Sequence, residues 1–204
     1  MPTPDWFSQL LDRELSNILL SEVQIVQLYT HYELLIRWNQ RMNLTTVKPG
    51  RDTVVRHYCE SLFFAAHLPA DDNNISVLDL GSGAGFPGVP MAVVKPGWQV
   101  TLVESSQKKA VFLRESSRHL RNVVVLAERM ETVSVLGDWV VARAVGPIEV
   151  LRQVPALAPN VGLMLGESDF SSIVRDSRIA WNQPVRLPWG DRRLCVYGHV
   201  PRET

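Results

Sequence analysis

Two rhythms of apolar and polar positions divide the chain. Up to about residue 70, apolar side chains recur at the 3.6-residue period of amphipathic helices. Ile25, Leu28, Tyr32, Leu35 and Trp38 share one face. Ser21 and Gln24 stand at its start with capping-box spacing, each side chain placed to meet the other's free backbone donor. Pro49 and Gly50 mark a break. A second helical face follows, with Val54, Val55, Tyr58, Leu62, Phe63 and Ala66, and ends before Pro69. The stretch 69–74 (PADDNN) is a polar turn. From Ile75 the rhythm changes. Near-continuous apolar runs at 75–80, 99–103, 123–127, 139–142 and 161–165 alternate with helical stretches. Strands apolar on both faces belong to a parallel sheet covered by helices on each side, and the connections suit right-handed crossovers. Segments 184–188 and 194–200 suit an antiparallel pair at the C-terminal edge. The pattern predicts a doubly wound α/β unit over 71–204, mostly parallel, carrying a helical cap over 1–70.

Composition narrows the class. The 204 residues are 46% apolar and 21% charged, ordinary for a globular chain with a real core. Lys plus Arg equals Asp plus Glu, 21 against 21, so no basic coat covers the whole molecule. No apolar run approaches the ~20 residues of a membrane span. Asp5, Asp12, Arg13 and Glu14 do not suit the apolar region of a signal peptide. Cys59 and Cys195 stand alone, with no CxxC or Cys/His cluster, and read as buried small hydrophobes rather than metal ligands. The expectation is a cytoplasmic monomer without a metal.

The chemistry concentrates at the first strand, where Val77-Leu78-Asp79-Leu80 runs into Gly81-Ser82-Gly83-Ala84-Gly85-Phe86-Pro87-Gly88. Glycines at the end of the first strand of an open sheet let a backbone approach a nucleotide. A dinucleotide loop needs its third glycine at position 86, where Phe86 stands. Pro87 also removes a donor that a pyrophosphate would use at the helix start. GxGxG preceded by Asp79 is instead the pattern of class I methyltransferases, which bind S-adenosylmethionine. The second strand ends in Glu104, about twenty residues on, where an acid accepts both ribose hydroxyls. The third leads to Met130 and Glu131, where such enzymes hold the adenine edge. After the fourth strand comes Ala142-Arg143-Ala144-Val145-Gly146-Pro147, without the Asn/Asp-Pro-Pro-aromatic cluster of an adenine amino methyltransferase. Neither cysteine stands where a cytosine C5 enzyme keeps its nucleophile. A ring nitrogen with a ready lone pair remains as target.

Several motifs, in one order, resemble the bacterial 16S ribosomal RNA guanine-N7 methyltransferases (RsmG/GidB). Trp38-Asn39 with Asn43-Leu44-Thr45 matches that family's W-N-x-x-x-N-L-T. Val55-Arg56-His57 with Ser61-Leu62 matches its V-R-H and D-S-L segments, and Gly85-Phe86-Pro87-Gly88 its G-[LF]-P-G. Lys108-Lys109, Phe112-Leu113 and Arg143-Ala144 also fit. The resemblance implies methylation of a guanine N7 in 16S RNA of the small ribosomal subunit. It implies donor contacts near Gly81, Phe86, Glu104, Ser105, Ser106, Met130, Glu131 and Arg143. Three departures stand out: Glu60 for the family's Asp, Ala142 for Ser or Thr, and Leu165-Gly166 for Lys-Gly. The alternatives are another RNA or small-molecule target for the same donor, or a relic that binds donor without acting.

Guanine N7 carries a lone pair and no proton, so no general base is required and the task is positioning. Arg143 is the expected positioning residue, as a forked donor able to grip guanine, a phosphate or the donor's carboxylate. Asn39 and Asn43, four apart on one helical face, either brace the cap or reach the base. His57, beside Arg56, either faces the cleft or caps its helix. Trp189 is an alternative stacking ring. Basic residues gather locally: Lys108, Lys109, Arg114, Arg118 and Arg121 are opposed within 105–121 only by Glu115, and Arg192 and Arg193 lie near the end. Lys108, Arg114, Arg192 and Arg193 are the expected phosphate contacts.

Overall fold

The change of rhythm at residue 75 is a change of layer. The computed structural model describes residues 3–42, 44, 48–70, 74–190 and 192–201. Helices α1 (Asp5–Glu14) and α2 (Glu22–Met42) come first. The short α3 (Arg51–Thr53) runs through a π-helical stretch, Val54–Cys59, into α4 (Glu60–His67). Then follow β1 (Ser76–Leu80), α5 (Gly88–Val94), β2 (Gln99–Val103), α6 (Gln107–Ser117) and β3 (Val123–Leu126). A 3-10 turn (Met130–Thr132) leads to β4 (Trp139–Arg143), α7 (Pro147–Leu157), β5 (Asn160–Gly166) and α8 (Glu167–Ile173). The chain ends with β6 (Ala180–Trp181), β7 (Val185–Arg186) and β8 (Arg193–His199).

The strands form one sheet in the order β3-β2-β1-β4-β5-β8-β6, with β7 paired to β8. β1 to β5 are parallel and β8 is antiparallel to β5. Alternate residues face opposite layers. Val77, Trp139 and Val141 pack with α1, α2, α4, α5 and α6, while Leu78, Val140 and Ala142 pack with α7. The five parallel runs lie within a residue of their predicted bounds. The C-terminal pair also forms, with Val185 opposite Cys195 and Arg186 opposite Leu194. However, β8 is an inner strand, held between β5 and the short β6. Its buried residues Leu194 to Tyr197 need cover on both faces and a partner on both edges.

The capping box at the start of α2 is in place. Ser21 N donates to Gln24 Oε1 at 2.9 Å and Gln24 N to Ser21 Oγ at 3.3 Å. The second helix departs from its simple period. A π turn takes in an extra residue, so the inward face beyond it is displaced. Phe64, Ala65 and Leu68 are buried, whereas Phe63 is half-buried and Ala66 exposed. The same turn carries Glu60 into the interior, with no exposed surface.

β1 connects to β2 on one side and, after β3, the chain crosses to β4 on β1's other side. This reversal opens a crevice at the carboxyl ends of β1 and β4, the usual ligand position in an open α/β sheet.

Candidate active site

The loop after β1 takes positive φ at Gly81, Gly83 and Gly85 (73°, 58° and 91°). Their surroundings differ. A Cβ on Gly81 would lie 2.6 Å from Val145 Cγ2, and one on Gly85 would lie 2.8 Å from Val89 Cγ2 and 3.0 Å from His31 Nε2. At Gly83 nothing comes closer than the Gly81 carbonyl oxygen at 3.8 Å. Two glycines therefore serve close packing, and Gly83 borders open space. Asp79 lies beneath the loop, fully buried, and its Oδ2 accepts the Gly88 N–H at 3.0 Å. Burial pushes its carboxyl up to about 7 against the pull of that bond. The first N–H of α5 is thus taken by the protein's own acid and is not open to a pyrophosphate.

Glu104 follows β2 and is 7% exposed. Oε2 accepts the Gly83 N–H at 2.9 Å and Oε1 the Ser106 N–H at 2.8 Å. Each carboxylate oxygen keeps a further lone pair for a hydroxyl. Ser106 in turn caps α6, its Oγ accepting the Lys109 N–H at 3.5 Å.

These groups line a cleft of about 430 Å³ with Leu44, Arg56, His57, Ser82, Ala84, Phe86, Lys109, Arg143, Ala144 and Arg193. The His57 ring stacks on Phe86, centroids 4.6 Å apart at 20°. Burial, helped by the nearby Arg143 charge, lowers the His57 pKa to about 3, so the ring is neutral. On the other side Phe86 meets His31 edge-on at 5.3 Å, and His31 Nδ1 lies 2.7 Å from the Tyr58 hydroxyl. His31 is also lowered to about 3 by burial. Behind the wall, Glu60 bridges two arginines. Its Oε1 accepts a hydrogen bond from Arg193, and Arg143 Nη2 lies 3.2 Å from its Oε2. Burial raises the Glu60 pKa, while Arg143 and Arg193 pull it down. Burial likewise lowers Arg143, offset by Glu60. Ala144, next along, holds a positive φ of 55°, a strained conformation of the kind that collects at functional sites.

Of the predicted residues, Gly81, Gly83, Phe86, Glu104, Arg56, His57, Arg143 and Arg193 come together in this cleft. Asp79 and Gly85 support its loop from behind. Ser105 is exposed and Ser106 half-buried at the start of α6. Met130 is half-buried and Glu131 exposed, both in the 3-10 turn beyond β3. Lys108 and Arg114 are exposed on α6, and Arg192 is exposed with a φ of 58°. Asn39 is half-buried on α2 and is not among the cleft-lining residues, and Asn43 lies outside the described residues. Trp189 is not an exposed stacking ring. It is half-buried, and its Nε1 donates to Glu14 at 2.9 Å. Sequence reasoning missed Lys109 as the cleft lysine, and Glu60. The signal for Glu60 was present: an acid within a helical face of apolar residues needs a buried partner. Cys59 and Cys195 are buried, and burial pushes both thiols up to about 12, far from the thiolate a nucleophile needs.

Known proteins share both the sequence and the architecture. The family model described as "GidB: rRNA small subunit methyltransferase G" matches residues 24–165. A Ribosomal RNA small subunit methyltransferase G of Pelotomaculum thermopropionicum is 39% identical over 200 residues, covering 88% of this chain and 83% of that protein. Its namesake in Lactococcus lactis subsp. cremoris (strain MG1363) is 33% identical over 223 residues, covering 99% and 92%. Among solved structures, magnesium protoporphyrin IX methyltransferase from Synechocystis PCC 6803 with bound SAM has a TM-score of 0.62 at 16% identity, over 91% of this chain and 100% of that one. A SAM dependent methyltransferase from Aquifex aeolicus reaches 0.60 at 16% identity, over 74% and 94%. At that identity the likeness is one of fold. The family match and the two relatives, each covering most of both chains, show that this chain belongs to the rRNA small subunit methyltransferase G family.

Proposed function

We propose that the protein transfers a methyl group from S-adenosylmethionine to N7 of a guanine in 16S ribosomal RNA of the small ribosomal subunit. The observation that carries this reading is a cleft with a hydroxyl acceptor at one end, paired guanidinium groups at the other and, among the described residues, no strong base between. Glu104 is tied to two backbone N–H groups, Glu60 is paired with two arginines, and His57 is held neutral at about 3. A target that must lose a proton is poorly served there; a ring nitrogen with a free lone pair is not.

The residues present fit the donor. Gly83 leaves room beside the loop, and Glu104 offers acceptors for ribose hydroxyls. On this reading Gly81, Phe86, Ser105 and Ser106 contact the donor from the same end, and Met130 and Glu131 hold its adenine edge. When bound, the donor supplies an electrophilic sulfonium methyl. The chain's own work is to hold N7 in line, about 3 Å from that carbon. Neutral His57 stacked on Phe86 gives an apolar shelf at the centre. Arg56, Arg143 and Arg193 supply positive charge on the acceptor side, with Lys109 at the start of α6, Lys108, Arg114 and Arg192 as outer phosphate contacts, and Asn39 as a brace of the wall. Residues 1–70 act as that wall of the 71–204 unit. Attack by a lone pair on a sulfonium methyl needs no Lewis acid, so the reading includes no metal, and it takes the enzyme to be a cytoplasmic monomer.

The test is incubation with labelled donor and unmodified small-subunit particles, then nuclease digestion and mass spectrometry. The expected product is 7-methylguanosine. A methyl on an exocyclic amine, on carbon or on ribose overturns the N7 assignment.

A further inference from the structure

Glu60 is a fully buried acid behind the cleft wall, and positioning of the donor and the guanine gives it no part. Its side chain is 0% exposed, against 12% for Arg143 and 31% for Arg193. One negative charge is therefore shared by two positive ones, and the cluster keeps a net positive charge with Arg56 nearby in the same cleft. Arg143, the buried member, carries a charge that is costly unless its donors are met. The donors point the same way. Among the described residues, Arg143 Nη1 is buried and has no hydrogen-bond partner, and the Arg143–Glu60 contact at 3.2 Å leaves Oε2 without an aligned hydrogen bond. Two guanidinium groups held side by side, one with an unmet donor, match an oxyanion with several acceptor oxygens.

Position along the sheet selects the source of that oxyanion. Glu104 follows β2, Arg143 ends β4 and Arg193 begins β8. The order β2-β1-β4-β5-β8 separates these strands by two and four steps of about 4.8 Å. The strands that carry the two arginines thus lie about 10 and 19 Å across the sheet from the strand that leads to Glu104, on the side left for the acceptor.

We propose that Glu60 is a positioning residue that yokes Arg143 and Arg193 into a paired-guanidinium subsite for one backbone phosphate beside the target nucleotide. This rests on reading the cleft as that of an RNA methyltransferase. Glu60 touches neither donor nor RNA; it acts through the two arginines. Without its charge they repel each other and lose their common orientation. Among the described residues Arg143 pairs with no other acid, so its guanidinium is then released to swing across the cleft.

The test uses the full chain and the variants E60Q and E60D. E60Q keeps the shape and removes the charge; its kcat/KM for small-subunit particles falls roughly 10- to 100-fold, while calorimetric affinity for the donor stays within about twofold. E60D keeps the charge and recovers most of the loss. A second arm uses target RNA with a single neutral methylphosphonate next to the methylated nucleotide. That change lowers turnover by the wild type and costs E60Q much less, because both remove the same contact. Additive penalties overturn the proposal. A matching fall in donor affinity also overturns it, since the cluster then holds the donor's carboxylate. If E60Q fails to fold, R193Q carries both measurements with the Glu60–Arg143 pair in place. The two readings fail separately: a methyl found away from N7 overturns the N7 assignment and leaves the phosphonate coupling standing, whereas 7-methylguanosine formed without that coupling overturns only the role of Glu60.

Discussion

At the Glu104 end of the cleft the carboxylates of Asp79 and Glu104 bond to backbone N–H groups of Gly83, Gly88 and Ser106, all close in the chain. At the Glu60 end the partners are residues 60, 143 and 193, joined only through side chains. The first end is a local loop stitched to its own strand ends, and its geometry survives most changes of side chain outside the glycines and two acids. The second exists only once α4, β4 and β8 are assembled, and it holds charges where charge is expensive. On the proposed reading, donor binding is built into the carboxyl ends of β1 and β2, whereas grip on the acceptor depends on a few replaceable side chains.

The sharpest break in this contrast is Gly83→Val. Position 83 has a φ of 58° and borders open space, so the branched side chain strains the loop and enters the donor's room. Calorimetry should find no donor binding, with RNA affinity retained; retained donor binding would put the donor elsewhere. Arg143→Ala comes next, on the opposite wall. Single-turnover methylation should slow roughly 100-fold, with donor affinity nearly unchanged. An equal loss of donor affinity would move Arg143 to the donor end. Glu104→Ala should weaken donor binding by about 1.5 to 3 kcal/mol, the range for hydrogen bonds to a charged group. Unchanged affinity in that variant would remove the acid from the ribose site. Lys108→Ala with Arg114→Ala, on the exposed face of α6, should lower the salt slope of RNA binding by up to about two and leave the donor alone. An unchanged slope would make that face merely solvated.

The smallest effect is a flat profile. His31 and His57 have native pKa values lowered from 6.5 to about 3, so the unfolded chain binds more protons than the native one between those limits. Their contribution to stability is complete above pH 6.5 and is lost as pH falls toward 3. Asp79, raised from 3.8 to about 7, works in the opposite sense, costing stability as pH rises through that interval. Denaturant melts of Asp79→Asn against wild type across pH 4 to 8 isolate the second contribution. Turnover should show no histidine step between pH 6 and 8. A limb near 6.5 that disappears in His57→Ala would show that His57 titrates in the working enzyme.

Much of this was open to reading because it is local. A period of 3.6 or a continuous apolar run reflects the surfaces an element must bury, and so the five parallel strands and the α2 capping box were fixed by neighbours in the chain. The glycine spacing was legible for the same reason, since positive φ is a demand on a single residue, and Glu104 followed from its distance to the loop. The sequence by itself thus determined the layers, the switch point and the donor end. Tertiary structure decided the rest. The π turn displaced the face after Cys59, and no period reveals an extra residue in one turn. The placement of α6 against the sheet put Lys109 rather than Lys108 in the cleft. β8 entered the sheet beside β5 because both its faces and both its edges needed cover, and in doing so it delivered Arg193 to Glu60. Burial of that acid is favourable only when two arginines from distant strands arrive together, and such a coincidence is a property of assembled elements rather than of any stretch of chain.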